Sequence, residues 1–318
     1  SGKVTASGES TGGIVGYCQM ANITNCVNRG AISSSSGFVG GIIGQANPTS
    51  TTGITIKDCK NMASTFYANG ENIGGIIGKN SSDKRLTLEN CHNTTAISVT
   101  QKWVGGLVGY DKGPLTMKNC SNTASIYGRQ NTAGLVAGIE DDGCEISYCL
   151  NTGYVSAVSN SNGSGILASI DKEPVDNSTW NISNTVNTGT IDGVSALGGF
   201  IGWVPKDNAT VVNITDCVNK GNINSTGNEA GGFVGNMCND GKHTYTRCYN
   251  YGNVKSSSGS TDGVFVGGMV GREYGFATFT DCKNYGTVTA SSTSANSISG
   301  GICGWIQDDP SSFTNCIN

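Results

Sequence analysis

The residues of this chain that could do chemistry are few and far apart. Gly8-Glu9-Ser10-Thr11-Gly12 has the G-x-S-x-G spacing of a hydrolase nucleophile elbow, but that motif needs a strand-turn-helix setting with an Asp and a His downstream. Here it runs directly into glycine-rich sequence, so Ser10 is not expected to be a nucleophile. Carboxylates pair at Asp141 and Asp142, beside Glu140, and again at Asp308 and Asp309. Such pairs serve acid-base work on glycosidic bonds or bind calcium. These two lie five repeats apart and cannot share one centre, so each reads as a solvated turn, with calcium as the alternative. The histidines, His92 and His243, are distant from each other, and the 13 cysteines contain no C-x2-C pair. No zinc site and no cofactor are therefore expected.

Composition narrows the class further. Only 13% of the 318 residues are charged, about half the usual ~25%, which argues against a coiled coil, a nucleic-acid binder or a polyelectrolyte tail. The 19 Lys and Arg are scattered, leaving neither DNA nor an anionic bilayer a basic patch, and no run approaches the ~18 apolar residues of a membrane span. Glycine is abundant, at 48 residues, without the G-X-Y period of collagen. The chain starts at Ser1 and stops at Asn318 within a repeat, so it reads as a single domain, residues 1–318, cut from a longer protein.

What positions the residues is a repeat. A Gly-Gly-apolar-apolar-Gly block recurs at Gly12–Gly16, Gly40–Gly44, Gly74–Gly78, Gly105–Gly109, Gly198–Gly202, Gly231–Gly235, Gly267–Gly271 and Gly300–Gly304. Degenerate copies stand at Ala133–Ala137 and Ser164–Ala168. A C-x-N signature alternates with it: Cys26/Asn28, Cys59/Asn61, Cys91/Asn93, Cys120/Asn122, Cys149/Asn151, Cys217/Asn219, Cys248/Asn250, Cys282/Asn284 and Cys316/Asn318, with Thr185/Asn187 filling the sixth place. The period is about 32 residues. Short bursts of Gly, Asn, Ser, Thr, Val and Ile with alternating apolar positions, as in Phe279-Thr280-Asp281-Cys282, indicate strands rather than helical repeats. The predicted fold is all-β: a right-handed parallel β-helix or β-solenoid of about ten coils, rising about 4.8 Å per coil.

Stacking assigns a job to each slot. Ile14, Ile42, Ile76, Leu107, Leu135, Ile166, Phe200, Phe233, Met269 and Ile302 should form one interior apolar ladder. The asparagines should form a hydrogen-bonded ladder, and asparagine also tolerates the left-handed backbone of a bend. The ladder cysteines should be buried free thiols, because Cβ atoms one coil apart sit wider than the ~3.8 Å of a disulfide. Cys18, Cys144, Cys238 and Cys303 lie off the ladder and could pair with ladder neighbours such as Cys26 or Cys149.

The slot after each Gly block differs from the apolar interior slots. It holds Tyr17, Gln45, Lys79, Tyr110, Gly138, Ser169, Trp203, Asn236, Arg272 and Trp305, a mixture that belongs outside or at a corner. Tyr17, Tyr110, Trp203, Arg272 and Trp305 are the candidate ligand-binding residues, since exposed aromatics stack on sugar rings and polar neighbours orient them. The alternative is that they pack under the loops that follow, which vary from 10 positions (Gly16 to Cys26) to 17 (Ala168 to Thr185).

The blocks GGLVG and N-C-x-N resemble the GLUG-type repeats of large surface and secreted proteins of gut and mucosal bacteria, including regions that flank streptococcal IgA-specific metallopeptidases. The resemblance covers essentially the whole chain. It implies an extracellular, cell-surface location within a long adhesin-like protein; the H-E-x-x-H zinc helix of those peptidases is absent, so their activity does not carry over. The expectation is a non-catalytic stalk or binding surface with glycans or host and microbial surface proteins as partners. A β-helix enzyme acting on polysaccharide is one alternative, with Ile170–Asn177 as a loop able to hold its carboxylates. A self-assembling fibre, joined end to end through the open coil at Asn318, is the other.

Overall fold

The computed structural model describes residues 2–35, 37–140, 143–159, 162–170, 178–206, 210–238, 240–259, 261–293, 296–307 and 310–318. Every described element is a strand, and the parallel sheets stack as a β-solenoid of about nine turns with a period near 32 residues. No helix of the described residues is long and apolar enough to cross a membrane.

One coil shows the pattern. Its five strands are Phe38–Gly40, Ile43–Ala46, Ile54–Lys57, Lys60–Asn61 and Phe66–Ala68. Like strands of successive coils pair in parallel. The first three positions each build a sheet of ten strands and the fourth a sheet of nine; the fifth is divided into sheets of three and seven. The β-branched and apolar residues of each strand point inward at every second position, as in Ile54 and Ile56, both buried, with Thr55 and Lys57 half-buried between and beyond them.

The core is in two parts. A large cluster, from Ile23 through Ile56, Leu88 and Met117 to Phe279, lies between the second, third and fourth sheets and includes the buried ladder thiols. Two smaller clusters, around Val39 and Ile97 and around Leu197 and Ile223, lie between the first and fifth sheets. The predicted apolar ladder is buried from Ile42 to Met269; in the first coil Ile14 is 45% exposed, because no coil covers it. Aromatic rings stack along the axis, Phe200 on Phe233 at 4.5 Å and Tyr245 on Phe279 at 4.6 Å.

The asparagine ladder is continuous. Nδ2 of Asn28 donates to Oδ1 of Asn61, and the same bond repeats through Asn93, Asn122, Asn151, Asn187, Asn219, Asn250 and Asn284 to Asn318, at 2.7 to 3.2 Å. The second amide proton reaches a backbone carbonyl two residues on, as from Asn122 to Ala124 O at 2.8 Å. One expectation needs correction: the ladder asparagines are not the left-handed residues. Ten left-handed residues stand three places earlier, just before each Cys or Thr, at Asn25, Asp58, Asn90, Asn119, Tyr148, Asn184, Asp216, Arg247, Asp281 and Asn315, with φ between 49° and 55°, and three more, Asn72, Trp103 and Asn131, stand two residues before a Gly block. The bend therefore falls one residue before the thiol slot, and the ladder asparagine sits in a strand.

All 13 cysteines are free thiols, Cys18, Cys144, Cys238 and Cys303 included. The ladder sulfurs instead donate to backbone carbonyls, as Cys91 Sγ does to Ile56 O at 3.3 Å. Cys91 is pushed up to about 12, led by its hydrogen bond with Cys120, and Cys217 to about 12, led by desolvation; the hydrogen bond from Cys248 lowers Cys282.

Candidate functional site

The Gly block turns the chain from the first strand to the second, and two outward-facing files run side by side there. The first is the predicted slot. Register pairs Tyr17 with Gln45, Gln45 with Lys79, Lys79 with Tyr110, Tyr110 with Gly138, and Gly138 with Ser169. It continues from Ser169 to Trp203, Asn236, Arg272 and Trp305. The second file lies two residues before each block and includes Ser10, Phe38, Trp103, Glu229, Phe265 and Ile298. The files touch along the rod: Ser10 Oγ donates to Gln45 Oε1 at 2.8 Å, and Lys79 Nζ sits 4.9 Å over the Phe38 ring.

The candidates fall into three settings. Tyr17 is open, at 48% exposure. Tyr110 is not an open platform: it is buried at 7%, edge-on against Trp103 at 5.0 Å, with its hydroxyl donating to Glu140 Oε2 at 3.2 Å. The Trp103 ring covers the space above Gly138, where a Cβ would lie 2.2 Å from it. Tyr110 is therefore packed, but against Trp103 of the preceding strand rather than under the loop that follows it.

Trp203, Arg272 and Trp305 lie in one file over four consecutive coils, with Asn236 between Trp203 and Arg272 and with Arg272 and Trp305 in contact. The Arg272 guanidinium carbon lies 4.2 Å from the Trp305 ring centre, 4.4 Å from Tyr274 and 5.0 Å from Phe265. Trp305 stacks on Phe265 at 4.6 Å. The cation is thus held in an aromatic cage, an arrangement worth about 0.5–2 kcal/mol per contact depending on desolvation.

Glu229 completes the cluster. Its Oε1 lies 3.8 Å from Arg272 Nη1 and accepts from Asn236 Nδ2 at 3.3 Å. Asn236 Oδ1 in turn accepts from Cys238 Sγ at 3.0 Å, and burial pushes that thiol up to about 11. Desolvation raises the Glu229 carboxyl above the usual range; Arg272 opposes the shift and Asp262 adds to it. Glu229 also lines a surface cavity of about 380 Å³ with Ser195, Thr226, Asn228 and Ser258.

Glu229, Phe265 and Tyr274 were not singled out from the sequence. The signal was alternation: Ala230 points inward, so Glu229 points outward toward the slot across the Gly corner.

A second titratable group is sealed inside the rod. His243, Tyr245 and Glu273 are all fully buried; the Tyr245 hydroxyl donates to Glu273 Oε2 at 3.3 Å, and His243 Nε2 lies 3.7 Å from Oε1. His243 Nδ1 accepts from the Val212 N–H at 3.4 Å, which leaves Nε2 as the protonated nitrogen facing Glu273. Desolvation holds the Glu273 carboxyl well above the usual range.

Ser10 opens a strand that leads to another strand. Asp141, Asp142, Asp308 and Asp309 lie outside the described residues, as does all of the 170–177 loop beyond Ile170. Among the described residues no group of three His, Cys, Asp or Glu is placed to hold a metal ion. No family model, no curated protein and no solved structure matches this chain.

Proposed function

We propose that this chain is a non-catalytic recognition rod of an extracellular, adhesin-like surface protein, with glycans as ligands of the file that carries Trp203, Arg272 and Trp305. The observation that carries the reading is one file that sets Trp203, Asn236, Arg272 and Trp305 on consecutive coils, with Glu229 against Asn236 and Arg272, on an otherwise regular rod. Glycan recognition combines aromatic rings with a few fixed polar groups, and this cluster holds both. The rod supplies the rigidity: its ladders fix the cluster's geometry before any ligand arrives, which lowers the entropic cost of binding. The likeness of the repeats to GLUG-type surface repeats supports the extracellular placement.

The test is binding of the intact chain to an array of microbial and mucosal glycans, with Trp203→Ala and Trp305→Ala in parallel and folding checked by circular dichroism. The reading expects a defined glycan whose binding falls at least tenfold in Trp203→Ala. Trp305→Ala should weaken it too, by freeing Arg272 from its cage. A correctly folded chain that binds no glycan would refute the reading.

A further inference from the structure

The carboxylate of Glu229 is held by one oxygen only. Asn236 and Arg272 both address Oε1, and among the described residues no hydrogen bond is made to Oε2. The side chain is 13% exposed, so this is a placed group rather than a mobile surface acid. It is also the one charged member of its file, where by register the other coils carry Ser10, Phe38, Asn72, Trp103, Asn131, Asn162, Ala196, Phe265 and Ile298. Ala196, directly beneath Glu229, is the smallest of these and does not reach over the space that Phe or Trp would cover.

Beside it lies the cavity of about 380 Å³, within the ~300–1,000 Å³ usual for small-ligand sites. Its walls are mostly hydroxyl, amide, carboxylate and backbone groups, with Val194 as the apolar side chain among them. The Asn228 amide is oriented by Ser258, whose Oγ donates to Asn228 Oδ1 at 3.0 Å. Gly227 N–H is taken by Ser225 Oγ at 3.0 Å, and Ser256 Oγ caps Gly227 O, which holds the loop in place.

We propose that this cavity is a subsite for one ring of a neutral, polyhydroxylated ligand, a pyranose unit of a glycan, with Glu229 Oε2 accepting a ligand hydroxyl and the Asn228 amide donating to another. The inference rests on the recognition reading above and names its ligand class. An acidic sugar would bring its own carboxylate or sulfate against Glu229 and Asp262, and like charges in a half-buried site repel. A neutral diol offers O–H donors to a carboxylate and acceptors to an amide, which is the complement of the wall.

The experiment uses the intact chain and immobilised neutral oligosaccharides of gluco, galacto and manno configuration, alongside sialylated and sulfated ones. Glu229→Gln, Glu229→Ala and Trp203→Ala are compared, each checked for folding. A neutral ligand that loses about tenfold or more in Glu229→Gln, the size expected for a charge-assisted hydrogen bond, supports the subsite. Binding that falls in Trp203→Ala but is untouched in both Glu229 variants overturns the subsite and leaves the recognition reading standing. Selection of the acidic glycans over the neutral ones overturns the ligand class. Release of shortened oligosaccharide overturns the binding-only role and makes Glu229 a candidate acid catalyst. Absence of any glycan binding removes both proposals.

Discussion

A Cβ placed on Gly41 would lie 2.4 Å from Cγ of Asn61, well inside contact distance. The same clash recurs in every coil between the second glycine of the block and the ladder asparagine, from Gly13 with Asn28 to Gly301 with Asn318. The two sequence signatures are thus the two sides of one contact. The degenerate blocks support this, because they replace the first glycine with Ala133 or Ser164 and keep the second, Gly134 or Gly165.

Substitution of that second glycine should be costly. In Gly106→Ala the new methyl would lie 2.6 Å from Asn122 Cγ and 1.9 Å from Gly134 O, neither of which can move without breaking a ladder. We expect a loss of about 3 kcal/mol or more in urea unfolding. Gly8→Ala, with nothing within 4 Å, should change stability by no more than about 0.5 kcal/mol. Equal effects from the two substitutions would contradict the interlock.

Removal of one ladder amide should also be felt. Asn122 accepts from Asn93 and donates to Asn151 and to Ala124 O, so Asn122→Ala orphans buried groups on both neighbouring coils. The expected cost is about 2–4 kcal/mol, with amide exchange quickening in the coils on either side. Exchange unchanged in those coils would mean that the ladder carries little of the stability.

The thiols should be inert in the folded chain. With Cys91 and Cys217 both held near 12, little thiolate exists at pH 8. Of the 13 thiols, a disulfide reagent should titrate at most the half-buried Cys26, Cys238, Cys303 and Cys316 before denaturation, and all of them afterwards. Rapid reaction of more than four in the native state would show the column to be open.

Glu273 makes stability depend on pH. Its folded-state carboxyl is raised, so the folded chain binds that proton more tightly than the unfolded chain does. Its contribution is complete below the unfolded value of about 4.3 and is lost as pH climbs through the raised folded value. Glu273→Gln keeps an acceptor for the Tyr245 hydroxyl and removes the charge. Its melting temperature should match the parent near pH 4 and exceed it at pH 8; a variant less stable at pH 8 would show that the contact between the Glu273 carboxylate and the His243 Nε2–H outweighs desolvation.

Much of this was legible in the residues themselves. The period, the parallel stacking, the buried ladder from Ile42 to Met269 and the asparagine bonds all follow from slots repeated ten times, since a repeated slot must satisfy itself against its own copy. The left-handed position was not legible, because its occupants range from Asn and Asp to Tyr148 and Arg247 and share no side-chain chemistry. Tyr110 was placed in the correct file, but its burial depends on Trp103, seven residues earlier and on the other side of the corner. Glu229 escaped notice for a related reason: its neighbours Arg272 and Asn236 are contributed by the adjoining strand and the next coil, and a slot-by-slot reading compares like positions rather than facing ones.

The most direct test of the central claim compares two faces of the rod. Tyr251 and Tyr285, stacked at 4.9 Å and half exposed, lie on the outer surface of the asparagine strands, away from the Arg272 cluster. Glycan binding by the folded chain should collapse in Trp203→Ala and persist in Tyr285→Ala. Loss in Tyr285→Ala with retention in Trp203→Ala would place recognition on the opposite face and contradict the account.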